Sequence, residues 1–323
     1  MELTGLHHFS AITAQAAKNV DFYTRIMGMR LVKKTVNQDD PSSYHLFYGD
    51  EIGNPGTELT FFDISYAAQT KPGTRSISRM ALRVPDREAL AYWRDRFDEH
   101  GVEYDPIQEE AGRAVLPFRD FEEQRLALIE DEDAPLPGGN PWERSTTPAA
   151  VAVRGLASAT LTVADAAPTA RVLTEVMGFR KAGSYPAPGA DREILLYETG
   201  VGGVGAQVRI DVRPGLSPER LGRGGVHHIA FRVPDDDQHQ EWVNRLRSFG
   251  LQISGIIDRF YFKSIYFREP NGILFELATD GPGFVTDEVA GRLGEKLALP
   301  PFLEPHRSQI EAGLHPLEYQ PPG

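Results

Sequence analysis

The sequence predicts an α+β protein of four βαβββ modules that pair, first with fourth and second with third, into two half-barrels. Three observations carry this. One strand–helix–strand grammar is read four times along the chain, each helix ends on a glycine, and each module leaves one sheet face bare. The modules open on GLHHFSAIT from Gly5, SISRMALRV from Ser76, GLASATLTV from Gly155 and GVHHIAFRV from Gly225. Each opening alternates apolar and polar residues, as a half-buried strand does.

Helical spacing follows each opening, in Val20, Tyr23 and Met27, then Leu90, Trp93 and Phe97. It recurs in Leu173, Val176 and Met177, and in Trp242, Leu246 and Phe249. Gly28, Gly101, Gly178 and Gly250 stop these helices as left-handed C-terminal caps. After Gly28 the runs MRLVKKTV, YHLFYGD and TELTFFDI are separated by DDPSS and GNPG, which predicts three strands. After Gly250 the strands are LQISGIID, FKSIYFRE and GILFELAT, the last two joined by a turn at Pro270-Asn271-Gly272.

Residues 1–140 are expected to hold modules one and two, 141–154 a Pro/Gly/Ser-rich linker, and 155–280 modules three and four. Residues 281–323 leave the repeat; their segment PHRSQIEAGL predicts a helix used for packing or a dimer contact.

The chain has 323 residues, about two domains' worth. With 34 basic and 46 acidic side chains its formal charge is −12, which argues against nucleic acid or anionic lipid as partners. No run is long and apolar enough to span a membrane, and the N-terminus lacks a signal-peptide layout, so a cytoplasmic protein is expected. Zero cysteines exclude thiolate metal sites, so any metal falls to His, Asp or Glu.

Alternation in GVHHIAFRV turns Ile229, Phe231 and Val233 toward the helix and His228, Ala230 and Arg232 toward the concave face. In the same register GLHHFSAIT presents His8, Ser10 and Ile12, while modules two and three present Arg79 and Ser158. Only the outer modules carry histidine in that slot, and the inner pair reads as a scaffold. Glu276 stands among Ile273, Leu274, Phe275 and Leu277, where burying a carboxylate is expensive unless it is paired or binds a metal. His8, His228 and Glu276 on one concavity make a facial set suited to Fe(II) or Mn(II). Glu58 is a fourth candidate. Aligning Glu-Leu with Glu-Leu puts Glu58 in the slot of Glu276, whereas aligning the turns puts Thr60 there.

The bland readings are also definite. His45 reads as core; His100, His239, His306 and His315 read as solvated. GVGGVG at 200–205 reads as a hairpin or loop, and Asp235–Asp237 as a helix start.

The paired HH motifs and the FEL strand resemble the vicinal oxygen chelate superfamily, which includes glyoxalase I and the extradiol ring-cleaving dioxygenases. More narrowly, the chain is similar to hydroquinone-type ring-cleaving dioxygenases. GLHHFSAIT, DDPSSYHLFYGDEIGNPGTELTFFDI, GGVHHIAFRV, DRFYFKSIYFREPNGILFELATDGPGF and LPPFLEPHRSQIEAGL carry that likeness. The resemblance implies Fe(II) at His8, His228 and Glu276, and a hydroquinone-like ring opened by O2 with both oxygen atoms retained. It also implies catalytic roles for Tyr266 and Arg259, and for His7 and His227 beside the ligands. Tyr266 would hydrogen-bond the bound oxygen, Arg259 stabilise its charge, and a histidine transfer a proton. Strict alternation would turn His7 and His227 away from the centre unless the strand start is irregular. Rival readings are a glyoxalase-type lyase using Glu58, and a protein that binds aromatics without turning them over. A homo-oligomer is compatible with all three.

Overall fold

A computed structural model describes residues 1–322. Module one comprises β1 (Leu6–Thr13), α1 (Ala16–Asp21), β2 (Arg30–Asn37), β3 (Asp40–Gly49) and β4 (Glu58–Asp63). Module two comprises β5 (Ser76–Val84), α2 (Arg87–His100), β6 (Gln108–Glu110), β7 (Arg113–Arg119) and β8 (Arg125–Glu130). Module three comprises β9 (Leu156–Val163), α3 (Ala166–Arg171), β10 (Arg180–Pro186), β11 (Glu193–Glu198) and β12 (Gln207–Val212). Module four comprises β13 (Gly225–Val233), α4 (Asp236–Ser248), β14 (Ile253–Asp258), β15 (Lys263–Arg268) and β16 (Leu274–Thr279). α5 (Arg307–Gly313) lies in the tail.

Local chemistry sets these boundaries. Asp86 and Asp235 cap α2 and α4 by accepting from the amides of Ala89 and Gln238. α1 and α3 each continue into a π-helical turn. All four terminal glycines have positive φ, +65° to +76°, a conformation that costs a residue with a Cβ.

Two eight-stranded sheets result, ordered β14-β15-β16-β13-β1-β4-β3-β2 and β10-β11-β12-β9-β5-β8-β7-β6. The first joins modules one and four through antiparallel β1 and β13; the second joins two and three through β5 and β9. The helix-side face is apolar, with Phe9, Ile229 and Phe231 fully buried.

A bulge recurs at one position in every module. Between Leu6↔Phe231 and His8↔Ala230 the first strand advances two residues and its partner one, leaving His7 as the extra residue. The same slip isolates His227 between Ser10↔His228 and Ala11↔Val226. Ser78 and Ala157 are the extra residues in the second sheet. A bulge turns its residue back toward the face it would otherwise leave.

Residues 131–154 hold no helix or strand but are docked rather than free: Trp142 is buried with Arg30 over its ring, and Ser145 donates to the carbonyl of Gly28. The tail packs on β2 and β3. The fully buried Lys33 ammonium reaches Asp287 and Glu288, and Val36 packs with Leu299, Leu303 and Ile310. Among the described residues, no helix is long and apolar enough to cross a membrane.

Candidate metal centre

β1, β13 and β16 bring His8, His228 and Glu276 together on the concave face of the first sheet. His8 Nε2 lies 3.3 Å from His228 Nε2. Glu276 Oε2 lies 3.2 Å from the first nitrogen and 2.9 Å from the second. Donors about 2.1 Å from one cation and at right angles stand about 3.0 Å apart, so this triangle has the size of one face of an octahedron. Oε2 is buried and accepts no hydrogen bond of acceptable geometry, despite two imidazoles at contact distance. Oε2 and the two imidazole nitrogens all stand within 3.3 Å of one another. Oε1 is held by the Ser264 hydroxyl at 2.5 Å.

The bulges bring the neighbouring histidines against His8 and His228, where strict alternation would turn them away. His7 Nε2 is 3.1 Å from the carbonyl oxygen of Thr279, an acceptor only, so that nitrogen carries the proton. His7 Nδ1 is then an acceptor, and His8 Nδ1 donates to it at 3.0 Å. The chain of bonds leaves a bare lone pair on His8 Nε2. On the other strand His227 Nδ1 lies 2.8 Å from His228 Nδ1, able to do the same for its neighbour. A metal-ligating imidazole needs such a partner at its other nitrogen.

Electrostatics suit cation binding. Burial opposes the charge on Glu276, but the His8 and His228 imidazoles beside it outweigh burial and hold its carboxyl well below the usual range. Burial keeps the His228 and His7 imidazoles below their ordinary value, and pushes His227 down to about 3. A buried carboxylate beside two imidazole nitrogens is a donor set for a hard or intermediate divalent cation.

Register resolves the two alignments of Glu58. β1 and β4 pair Ser10 with Thr60, and β13 and β16 pair Ala230 with Glu276. Thr60 therefore occupies the slot of Glu276, and Glu58 sits two residues earlier, opposite His8. Glu58 Oε2 lies 3.8 Å from His7 Nδ1 and groups with His7 and His8, outside the triad of His8, His228 and Glu276. Burial pushes its carboxyl well above the ordinary value.

The open side of the triad faces a pocket lined by His8, His228, Tyr266, Arg259, His45, Phe47, Phe62, Phe262 and Tyr261. Arg259 is no free surface residue: it forms a bidentate pair with Asp39 of the β2–β3 turn at 3.0 and 2.9 Å, and stacks over Tyr266. Tyr266 sits opposite Glu276 in register, its ring 5.7 Å from that of His228. His7 and His227 do not line the pocket.

Two histidine readings need correction. His45 is a pocket wall, stacked between Phe47 and Phe62, with Nε2 3.0 Å from the Thr60 hydroxyl, which is itself 2.7 Å from Ser10. The signal was its alternation with Phe47. His239 is fully buried, not solvated: it sits on the inner face of α4 and donates to the carbonyl of Leu277. Ser264 and Phe262 were missed; Ser264 shares the alternation of Tyr266, which could have found it.

Comparison with known proteins follows the same lines. A family model described as the glyoxalase/bleomycin resistance protein/dioxygenase superfamily matches residues 5–132 and 155–277. The chain belongs to that superfamily. It is 49% identical over 318 residues to MhqA of Bacillus subtilis strain 168, provisionally named a ring-cleaving dioxygenase, covering 98% of this chain and 100% of MhqA. It is 33% identical to the chlorohydroquinone/hydroquinone 1,2-dioxygenase of Sphingobium indicum, over 95% of this chain and 94% of that one. A crystal structure from B. subtilis, provisionally described as a dioxygenase, superposes with TM-score 0.90 at 38% identity, covering 99% of both chains. Glyoxalase I from Zea mays shares the fold alone, at TM-score 0.64, 16% identity, and 85% and 92% coverage. Within its superfamily, which is metal-dependent, the chain is an enzyme of the ring-cleaving dioxygenase group.

Proposed function

We propose that the chain is an Fe(II)-dependent dioxygenase that opens a hydroquinone-like ring, with His8, His228 and Glu276 as the iron ligands. One observation carries the reading: three donor atoms converge on one side of a point whose other side faces an aromatic-walled pocket. With Glu58 turned to His7, no fourth His, Asp or Glu among the described residues closes the set. The relative named for hydroquinone cleavage supports the ring class. Ferrous iron held there would supply a Lewis acid for a ring hydroxyl and the one-electron chemistry that dioxygen requires.

The side chains have separable tasks. Phe47, Phe62, Phe262 and His45 hold a flat ring and exclude water. Tyr266, whose phenol burial keeps protonated, donates to a substrate oxygen. Arg259 stays charged, because Asp39 outweighs its partial burial, and stabilises negative charge developing on the ring. His7 and His227 act through the ligands, fixing their tautomers. The test is anaerobic loading with Fe(II), then methylhydroquinone and oxygen. Oxygen uptake with loss of aromatic absorbance, and both atoms of labelled O2 in the product, is the expected result. An iron-replete protein that consumes no oxygen, or that turns over a thiol–aldehyde adduct instead, would overturn it.

A further inference from the structure

Modules one and four lay the same slots around the pocket and fill them differently. In module four, β16 pairs Glu276 with Tyr266 and Ala278 with Ser264. In module one, β4 pairs Thr60 with Phe47 and Phe62 with His45. Thr60 therefore stands in the slot of Glu276, and His45 in the slot of Ser264. The contact between the two slots is kept: Ser264 donates to Glu276, and His45 Nε2 lies 3.0 Å from the Thr60 hydroxyl. Without a carboxylate, the pair in module one supports something other than a metal.

Proton counting fixes the direction of its hydrogen bonds. The hydroxyls of Ser10 and Thr60 are fully buried, 2.7 Å apart, and Ser10 has no other side-chain partner among the described residues. If His45 Nε2 donated to Thr60, one of the two hydroxyl protons would be left without an acceptor, a costly state for a buried group. Only the direction Ser10 to Thr60 to His45 gives both protons a place. Nε2 is then the acceptor, and a neutral imidazole carries its proton on Nδ1. Burial holds the His45 imidazole well below its ordinary value, which keeps it neutral near pH 7.

That Nδ1 makes no hydrogen bond among the described residues, and it is not sealed in the core. The ring is half-buried and lines the pocket between Phe47 and Phe62. Other polar groups on the same side are spent or closed off: the Tyr261 phenol donates to Asp287 at 2.9 Å, and the Thr35 hydroxyl is occluded. β4 separates β3 from the His8 strand, so at about 4.8 Å per step the two strands run about 10 Å apart. A ring whose first oxygen faces the triad presents an ortho oxygen beside that one, and a para oxygen at its far end.

We propose, on the hydroquinone reading above, that His45 selects the ring by its second oxygen. Nδ1–H donates to the hydroxyl para to the one that faces the triad, and Ser10 and Thr60 hold the imidazole in the tautomer that can do so. His45 is thus a specificity-determining residue, and a ring without the para oxygen leaves its N–H unpaired in the pocket.

The test is calorimetric titration of the Fe(II)-loaded protein without oxygen, using hydroquinone and phenol, so that binding is read and turnover is not. Wild type is expected to bind hydroquinone more tightly than phenol. His45→Phe should weaken hydroquinone about five- to tenfold and leave phenol unchanged, which removes the preference. Thr60→Val, at a residue outside the pocket lining, should weaken hydroquinone about two- to fivefold with phenol again unchanged. It carries the test if His45→Phe does not fold. A preference that survives in the variants, or an equal fall for both ligands, would overturn the role of His45 and leave the hydroquinone reading standing. A wild type that binds no hydroquinone would overturn both.

Discussion

His8 and His228 differ from the other histidines in the direction of one lone pair, and that direction is set by their neighbours in sequence. Because His7 donates to a backbone carbonyl, it must accept from His8, so the ligating nitrogen is bare before any cation arrives. His8→Ala, His228→Ala and Glu276→Ala are each expected to purify with essentially no metal after anaerobic Fe(II) loading. Glu58→Gln is expected to keep it, because Glu58 addresses His7 and not the triad. Metal loss in Glu58→Gln, read by elemental analysis, would favour the four-donor glyoxalase-type centre instead. The triad was legible because histidine recurs in one slot of two repeats and a carboxylate in an apolar strand needs a partner. What Ser264, His45 and Thr60 touch was not: alternation gives their side of the sheet, but only the packed sheet shows their partners.

Strands, helices and glycine stops were legible because each leaves a periodic or conformational trace in the sequence. The bulges leave none, since one extra residue changes no composition, and so the side of His7 and His227 was open until the strands were paired. The long contacts between turns were equally silent. Asp39 and Arg259 are 220 residues apart in sequence, yet they join the β2–β3 and β14–β15 turns at the pocket mouth. Asp39 is largely exposed, so Asp39→Ala should leave the fold intact and loosen only the mouth. The expected result is a KM raised a few-fold with kcat retained, consistent with the modest worth of a partly exposed ion pair, about 1 kcal/mol. A large fall in kcat with unchanged KM would place Asp39 in the chemistry itself. The β7–β8 turn carries a titratable lock: buried Asp120 accepts from Tyr23 of the first helical segment and from the amides of Glu122 and Gln124. Burial raises its pKa from 3.8 to about 7. The folded state therefore holds this proton more tightly than the unfolded one, and its stabilisation is lost as pH rises from about 4 to about 7. Asp120→Asn should flatten that part of the profile, so that wild type loses more Tm than the variant between pH 5 and pH 8.

At the scale of the molecule, each sheet takes one module from each half of the chain, so neither half closes a sheet alone. Residues 1–140 contain β1 without β13 and β5 without β9, which leaves the two central strands each with a bare edge. An open strand edge above an apolar face pairs with whatever reaches it, usually another copy. The half 1–140, expressed alone, is expected to be aggregated or to melt without cooperativity. Co-expression with 141–323 is expected to restore one cooperative transition and the metal site together, since His8 comes from one fragment and His228 and Glu276 from the other. Calorimetry of the fragments and of the reassembled pair checks this. A monomeric 1–140 fragment with its own sharp transition would mean that neighbours in sequence can substitute for the partners that the native sheets use.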